Sequence, residues 1–303
     1  MYYENRKIRL SGSNRYKNFM PIDGYDRELV HLEEGPPGGA GGNSSVFRVQ
    51  PVDEYAPEFV IKFCNYPENA TAEWARRRVN RFEREIEANR KANNASLKAE
   101  VIELIADGRH QIGGKSFRYF VMPKADSNLG TFLENEELSP PSKLLLCHKI
   151  FEAVHRLHEI DIYHRDIKPG NFMMFKSTVR VGDLGLCAYR DEDGELDEGD
   201  RKIGPFGFLS PEAVNRGCAT GRSRMFGRMC RMDASSDFFQ LGLLFWFILQ
   251  GDVPVGQLAS SDLTGVEDRA VFERVIVPLL QFDKQRRATY QDLTGVLREL
   301  AQV

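Results

Sequence analysis

The stretch IYHRDIKPGNFMMF, residues 162–175, sets an arginine, an aspartate, a lysine and an asparagine close together between apolar flanks. Burying that much charge is costly unless it is paired or used. Asp166, on such a loop, can accept a hydrogen bond from a hydroxyl and take its proton. Lys168, two residues on, supplies positive charge where a transferred phosphoryl group gathers negative charge. Asn171, five residues on from Asp166, and Asp183, in GDLG after one short hairpin, offer oxygen ligands of the kind Mg²⁺ takes beside phosphate oxygens. The bland alternative is a turn held by salt bridges. The four residues occurring together, with glycines upstream, favour chemistry.

Those glycines form the second motif. Gly39, Gly41, Ser44 and Val46 give G-x-G-x-x-S-x-V between two strand candidates. Without Cβ atoms the backbone N–H groups can approach an anion such as a triphosphate; a flexible linker would have the same composition. Lys62 follows in FVIKF, where it is either an exposed edge residue or a buried cation with a partner. The helix downstream offers that partner. Val79, Phe82, Ile86 and Asn89 trace one side at helical spacing and Glu85 lies among them, whereas Glu83 and Glu87 can point to water. A Lys62–Glu85 pair would hold the lysine toward nucleotide phosphates.

The elements that must carry these residues fall into two groups. ELVHLEEG, SVFRV, FVIKF and YFVMP read as strands, with one long charged helix over residues 72–92. From about residue 125 the pattern turns helical: KLLLCHKIFEAVHRLHEI, SSDFFQLGLLFWFILQ and AVFERVIVPLLQF repeat apolar residues at three and four, with VRVGDLG a short strand among them. The expected organisation is α+β and bilobal: residues 1–24 a basic extension, 25–124 a small β-rich lobe, 125–303 a larger helical lobe, with ligands expected between them.

Bulk properties narrow the class. With 303 residues and a net charge of −3 there is no global basic field, so nucleic acid is not an expected partner. The N-terminus has no apolar signal core, and the longest apolar run, LGLLFWFIL, is too short to span a bilayer. Five cysteines without a C-x-x-C pair fit a reducing compartment, and a soluble cytoplasmic protein is expected.

With these motifs in this order, the chain resembles the eukaryotic-type protein kinases of the serine/threonine class over about residues 25–300. HRDIKPGN matches the catalytic loop, GDLG the metal-binding D-F-G, VIK the strand lysine and REI the pairing helix. SPE stands at the A-P-E position, Asp237 and Gly242 fit D-x-W-x-x-G, and Arg287 is placed to pair with Glu212. The resemblance implies a kinase-like bilobal fold, ATP and Mg²⁺, and protein substrates phosphorylated on serine or threonine. It implies a hinge at 122–125, with Met122 beside adenine, Lys124 and Ala125 along the hinge, and Val46, Val60 and Met173 sandwiching the ring. A kinase acting on a small molecule would lack the SPE, Asp237 and Arg287 framework. A catalytically dead scaffold would have lost Lys62, Asp166, Asn171 or Asp183, and all four are present.

Several positions depart from the family's pattern. Leu184 replaces the D-F-G phenylalanine, Asn89 stands where an apolar residue is usual, and Pro205 replaces a usual threonine. The segment from 186 to 209 contains no serine or threonine and carries seven acids between Asp191 and Asp200. One of those carboxylates is expected to pair with Arg165 in place of a phosphate. An arginine-rich insert, residues 215–232, is either a docking loop for an acidic partner or a solvated one.

Overall fold

A computed structural model describes the chain except for residues 23, 33–42, 52, 54, 191–203, 205–206, 219–229, 255, 257, 266–268 and 303. Gly39, Gly41, Pro205, the acids between Asp191 and Asp200, and most of the arginine-rich insert lie outside the described residues. The chain forms two compact units: residues 1–98 with 102–124, and residues 99–101 with 125–303.

In the first unit, β1 (Tyr2–Glu4) and β2 (Lys7–Arg9) make a hairpin. β3 (Phe19–Ile22), β4 (Tyr25–Val30), β5 (Ser44–Val49), β6 (Phe59–Cys64), β7 (Ala106–Ile112) and β8 (Lys115–Pro123) form an antiparallel sheet in the order β3-β4-β5-β6-β8-β7. Residues opposite one another in register share a face. Phe47, Ile61 and Val121 line up across β5, β6 and β8 on one face; Val46, Lys62 and Phe120 line up on the other. The helix α1 (Glu73–Asn94) covers part of the Lys62 face, packing Val79, Phe82 and Ile86 against Cys64, Leu104 and Phe120.

The opposite face is covered by the start of the chain. Met1, Ile8, Leu10, Met20 and Ile22 form one core with Phe47, Ile61, Phe63, Phe117 and Val121. Residues 1–22, which lie within the segment read as an N-terminal extension, are therefore built into the first unit. Their strands are only three and four residues long, so alternation never runs far enough to be visible.

The second unit opens with β9 (Ser127–Asn128), α2 (Leu129–Asn135) and α3 (Pro140–Glu159). β10 (Ile162–Tyr163) pairs with β13 (Ala188–Tyr189), while β11 (Phe172–Phe175) lies between β12 (Thr178–Val181) and β9. These short ladders clamp both ends of the loop 164–171 and the start of the GDLG turn. α4 (Pro211–Cys218) and α5 (Ala234–Gln250) follow, then α6 (Arg269–Val271), a π-helical turn (Phe272–Ile276), α7 (Val277–Leu279) and α8 (Tyr290–Ala301). α5 carries the long apolar run and is buried on nearly every side. At Gly242 a Cβ would stand 2.9 Å from Leu279 and Leu280, so only glycine allows α5 to approach that closely. Among the described residues, no helix is long and apolar enough to cross a membrane.

Candidate active site

Two groups of polar residues, one in each unit, gather the candidates. In the first unit, Lys62 Nζ donates to Glu85 Oε1 at 2.6 Å, and both side chains are largely buried. The partner inferred from helical spacing is the observed one. It is chosen because Glu85 falls on the same face of α1 as Val79, Phe82 and Ile86, which the sheet buries. Asn89 belongs to this face too and donates Nδ2 to the Glu85 carbonyl at 2.8 Å, so its polarity is met within the helix. Glu83 corrects the sequence reading: it is not simply solvated but lies 2.6 Å from Arg118 Nε. Glu87 is exposed as expected.

Val46, Val60 and Met122 share the Lys62 face, with Val60 opposite Met122 in register. Lys124 stands just past β8, where its N–H donates to the Glu58 carbonyl at 2.9 Å and its Nζ to Glu58 Oε2 at 3.0 Å, continuing the β6–β8 edge. Neighbouring Cys64 is inert, because burial pushes its thiol up to about 12.

In the second unit, Asp166 is buried at the loop between β10 and β11. Its Oδ2 accepts Lys168 Nζ at 2.8 Å and Asn171 Nδ2 at 2.7 Å. Asn171 Nδ2 also reaches the Asp166 carbonyl at 2.8 Å. Among the described residues, Asp166 Oδ1 and Asn171 Oδ1 accept no hydrogen bond, which leaves one oxygen on each for another molecule. The Gly182 N–H donates to the Asn171 carbonyl at 2.8 Å and so brings the next residue, Asp183, beside this loop. Asp183 is exposed in a left-handed conformation (φ 50°, ψ 65°), with Leu184 fully buried behind it. The leucine thus takes the buried place of the usual phenylalanine. Met173, in β11, is half-buried opposite Asn128.

The frame that holds this loop is built on Asp237, which the family pattern marked without its contacts. Asp237, fully buried on α5, accepts the His164 N–H at 2.7 Å, the Arg165 N–H at 2.8 Å and His158 Nε2 at 2.9 Å. It thereby ties down a backbone that turns through φ 65° at Arg165, a value non-glycine residues seldom adopt. Burial raises the Asp237 carboxyl, but the His158 hydrogen bond, the electrostatic pull of His158 and His164, and the Arg165 N–H outweigh it and hold it below the ordinary carboxylate range. The Asp166 N–H donates to His164 Nδ1 at 3.3 Å, so the ring proton sits on Nε2 and is donated to the Gly182 carbonyl at 3.1 Å. Gln240, one turn along α5, accepts the Ile167 N–H at 3.2 Å and donates to the Phe208 carbonyl at 2.8 Å. The available signal was polar residues three apart in a helix otherwise apolar.

Arg287 forms a fork on Glu212, at 3.0 and 3.1 Å, with neither side chain exposed. It also donates to the carbonyls of Ser235, Gln281 and Phe282. The Arg165 guanidinium is buried and reaches the Met232 carbonyl at 3.2 Å; the acids expected near it lie outside the described residues.

Asn171 and Asp183 carry oxygens of the kind a hard cation takes beside phosphate and water. Among the described residues there is no group of three or more His, Cys, Asp or Glu that could hold a metal ion by itself.

Comparison with known proteins agrees with this geometry. The family model for the protein kinase domain matches residues 33–297. The chain is 25% identical over 224 residues to the dual specificity protein kinase Ttk of Danio rerio, covering 74% of this chain and 21% of that one. It is 24% identical over 257 residues to the dual specificity protein kinase TTK of Mus musculus, covering 84% and 28%. Against the serine/threonine-protein kinase Genghis Khan of Drosophila melanogaster it is 33% identical over 103 residues, covering 34% and 6%. The chain thus spans less than a third of the length of these relatives. Since the family model covers most of the sequence and the loop, turn and buried ion pairs stand in its order, the chain belongs to the eukaryotic-type protein kinases.

Proposed function

We propose that the chain is an ATP- and Mg²⁺-dependent kinase that phosphorylates serine and threonine hydroxyls of proteins, itself included. The observation that carries this reading is the Asp166 carboxylate, with Oδ2 fixed by Lys168 and Asn171 and Oδ1 left open. Oδ1 accepts the hydroxyl proton as the substrate oxygen attacks the γ-phosphorus, the bond to the β-phosphate oxygen breaks, and ADP leaves. Lys168 balances negative charge on the transferred group, and Lys62, steered by Glu85, positions the phosphates. Gly39, Gly41 and Ser44 offer backbone N–H groups to the same phosphates. The family resemblance assigns Val46, Val60, Met122 and Met173 to the adenine, with Ala125 in the hinge. Asn171 and Asp183 would hold Mg²⁺, which when bound screens the phosphate oxygens and draws charge from the leaving group.

The lysine in HRDIK supports the serine/threonine preference, while the names of the two Ttk relatives keep tyrosine as a possible second acceptor. The SPE, Asp237 and Arg287 framework supports a protein substrate over a small molecule. Five cysteines, none of them in a disulfide among the described residues, support a reducing, cytoplasmic setting. An acid between Asp191 and Asp200 serving Arg165 would make activity independent of phosphorylation in that segment.

The test is purified protein with labelled ATP and Mg²⁺, protein substrates, and phosphoamino-acid analysis, beside Asp166→Asn. Asp166→Asn should keep nucleotide affinity and lose at least about 10²-fold in turnover. Undiminished phosphorylation by that variant would remove Asp166 from its role, and phosphotyrosine as the main product would overturn the hydroxyl preference.

A further inference from the structure

Charged contacts besides the Lys62–Glu85 pair fix α1 on the sheet. Lys62, Phe120 and Asp107 stand in one row across β6, β8 and β7, and Arg118, two residues before Phe120 on β8, shares their face. α1 sets Phe82 against the Phe120 ring, with centroids 5.4 Å apart. Toward β6, Glu85 meets Lys62 at 2.6 Å. Toward β7, Arg118 gathers partners from two elements. Its Nε stands 2.6 Å from Glu83 Oε1, its Nη2 donates to Asp107 Oδ1 at 3.2 Å, and its Nη1 donates to the Gly108 carbonyl at 3.1 Å. Arg90, about two helical turns beyond Glu83 on the same flank of α1, donates to both Asp107 oxygens at 2.6 and 2.7 Å.

The Arg118 guanidinium is the costly part of this arrangement. Its side chain is 6% exposed, and burying a cation stabilises little even when it is well paired. An apolar side chain at 118 would fill the space without that penalty. What the guanidinium adds is direction: planar, with donors at fixed angles, it holds a helix and a strand at once. Hydrophobic contact is non-directional, so apolar packing alone leaves a helix free to roll about its axis. Rolling α1 would carry Glu85, on one flank, away from Lys62. Glu83 and Arg90, on the other flank, resist that roll through Arg118 and Asp107. Glu83 and Glu85 are two residues apart within one continuous helix, so what holds the first also places the second.

We propose that Arg118 is a positioning residue for phosphoryl transfer: its bonds to Glu83, Asp107 and the Gly108 carbonyl set the roll of α1 and thereby keep Glu85 at Lys62. Arg118 touches neither partner of that pair, and a loss at Arg118 is felt as a loss of Glu85. The proposal rests on the reading of Lys62 as the residue that positions nucleotide phosphates.

The experiment measures Tm, kcat, KM for ATP, KM for a protein substrate and Kd for Mg-ATP. The variants are Arg118→Lys and Glu83→Ala, each alone and combined with Glu85→Ala, beside Lys62→Met. A lysine cannot reproduce the contacts of the guanidinium, so Arg118→Lys should lower kcat/KM for ATP by about ten-fold with the protein-substrate KM unchanged. Glu83→Ala removes one charged contact and should lower it by about five-fold. The decisive readout is coupling. Once Glu85→Ala has removed the group being positioned, adding Arg118→Lys should lower Tm as in the parent yet change kcat/KM by less than about two-fold. Equal fold losses in both backgrounds, or wild-type kcat/KM for ATP in Arg118→Lys, would make the network purely structural and overturn the proposal. Should Arg118→Lys or Glu85→Ala fail to fold, Glu83→Ala decides, since that side chain is 31% exposed; wild-type kcat/KM there overturns the proposal as well. The Lys62→Met arm separates the two readings. If it keeps wild-type turnover and Mg-ATP affinity, the nucleotide assignment falls and takes the proposal with it; if it is impaired while Arg118→Lys is not, the proposal alone falls.

Discussion

Replacing Asp237 by asparagine keeps the shape of the side chain and removes what the loop 164–167 depends on. The carboxylate accepts from His164 N, Arg165 N and His158 Nε2, all inside 3 Å and all away from water. An asparagine keeps one accepting oxygen. Its amide group must then face either the Arg165 N–H or the pair from His164 and His158, so at least one buried donor meets another donor. Losing one charge-assisted bond and orphaning one buried N–H costs about 3 kcal/mol, against a typical total of roughly 5–15 kcal/mol. For a unit of this size that lowers Tm by about 6–12 °C. The Arg165 backbone, held at φ 65°, is released as well. Asp166 adjoins it, and a displacement of about 1 Å there costs about 10²-fold in kcat. The acid limb of the stability curve changes in a defined direction. A carboxyl held below its unfolded pKa stabilises fully above about pH 4 and loses that contribution as pH falls through the lower folded value, so Asp237→Asn should flatten the slope in that window. Thermal melts from pH 3 to 7 with turnover at saturating ATP check both parts. Wild-type kcat together with a Tm within about 1 °C of the parent would refute the claim that Asp237 sets the loop.

Lys62→Met takes the cation from the buried Glu85 and should abolish most turnover while lowering stability by about 1–3 kcal/mol, a cost the sequence reading did not foresee. Glu85→Gln should be milder in both, since its amide oxygen still accepts from the ammonium; wild-type kcat/KM in Lys62→Met would redraw the nucleotide pose. Arg287→Lys cannot reproduce the fork on Glu212 or all three carbonyl contacts, so Tm should drop in keeping with a loss of about 3 kcal/mol. Melting of that variant within about 1 °C of the parent would show the pair to be dispensable.

What was legible in the sequence was local. Asp166, Lys168 and Asn171 share one loop, and a span of five residues brings their polar atoms together almost whatever surrounds them. The Lys62–Glu85 pair was readable because α1 repeats its apolar side at helical spacing, and an acid lying among those positions has to be buried toward the sheet. The Arg287–Glu212 fork came from the order of family motifs, not from spacing. Periodicity says that a face is buried but not what buries it, and the tertiary structure decided the rest. Asp237 selects backbone donors 72 and 73 residues away, at Arg165 and His164. Asn65 meets Ile8 across 57 residues, and Arg118 meets Glu83 across the sheet and helix. Residues 1–22 cover a sheet face whose need for cover was plain in Phe47 and Phe63, while the segment supplying it is broken into strands too short to show which face they cover. Backbone N–H groups look alike in every sequence, so which carboxylate or amide will satisfy them is settled only when distant segments pack, because a buried donor left without an acceptor costs too much to persist.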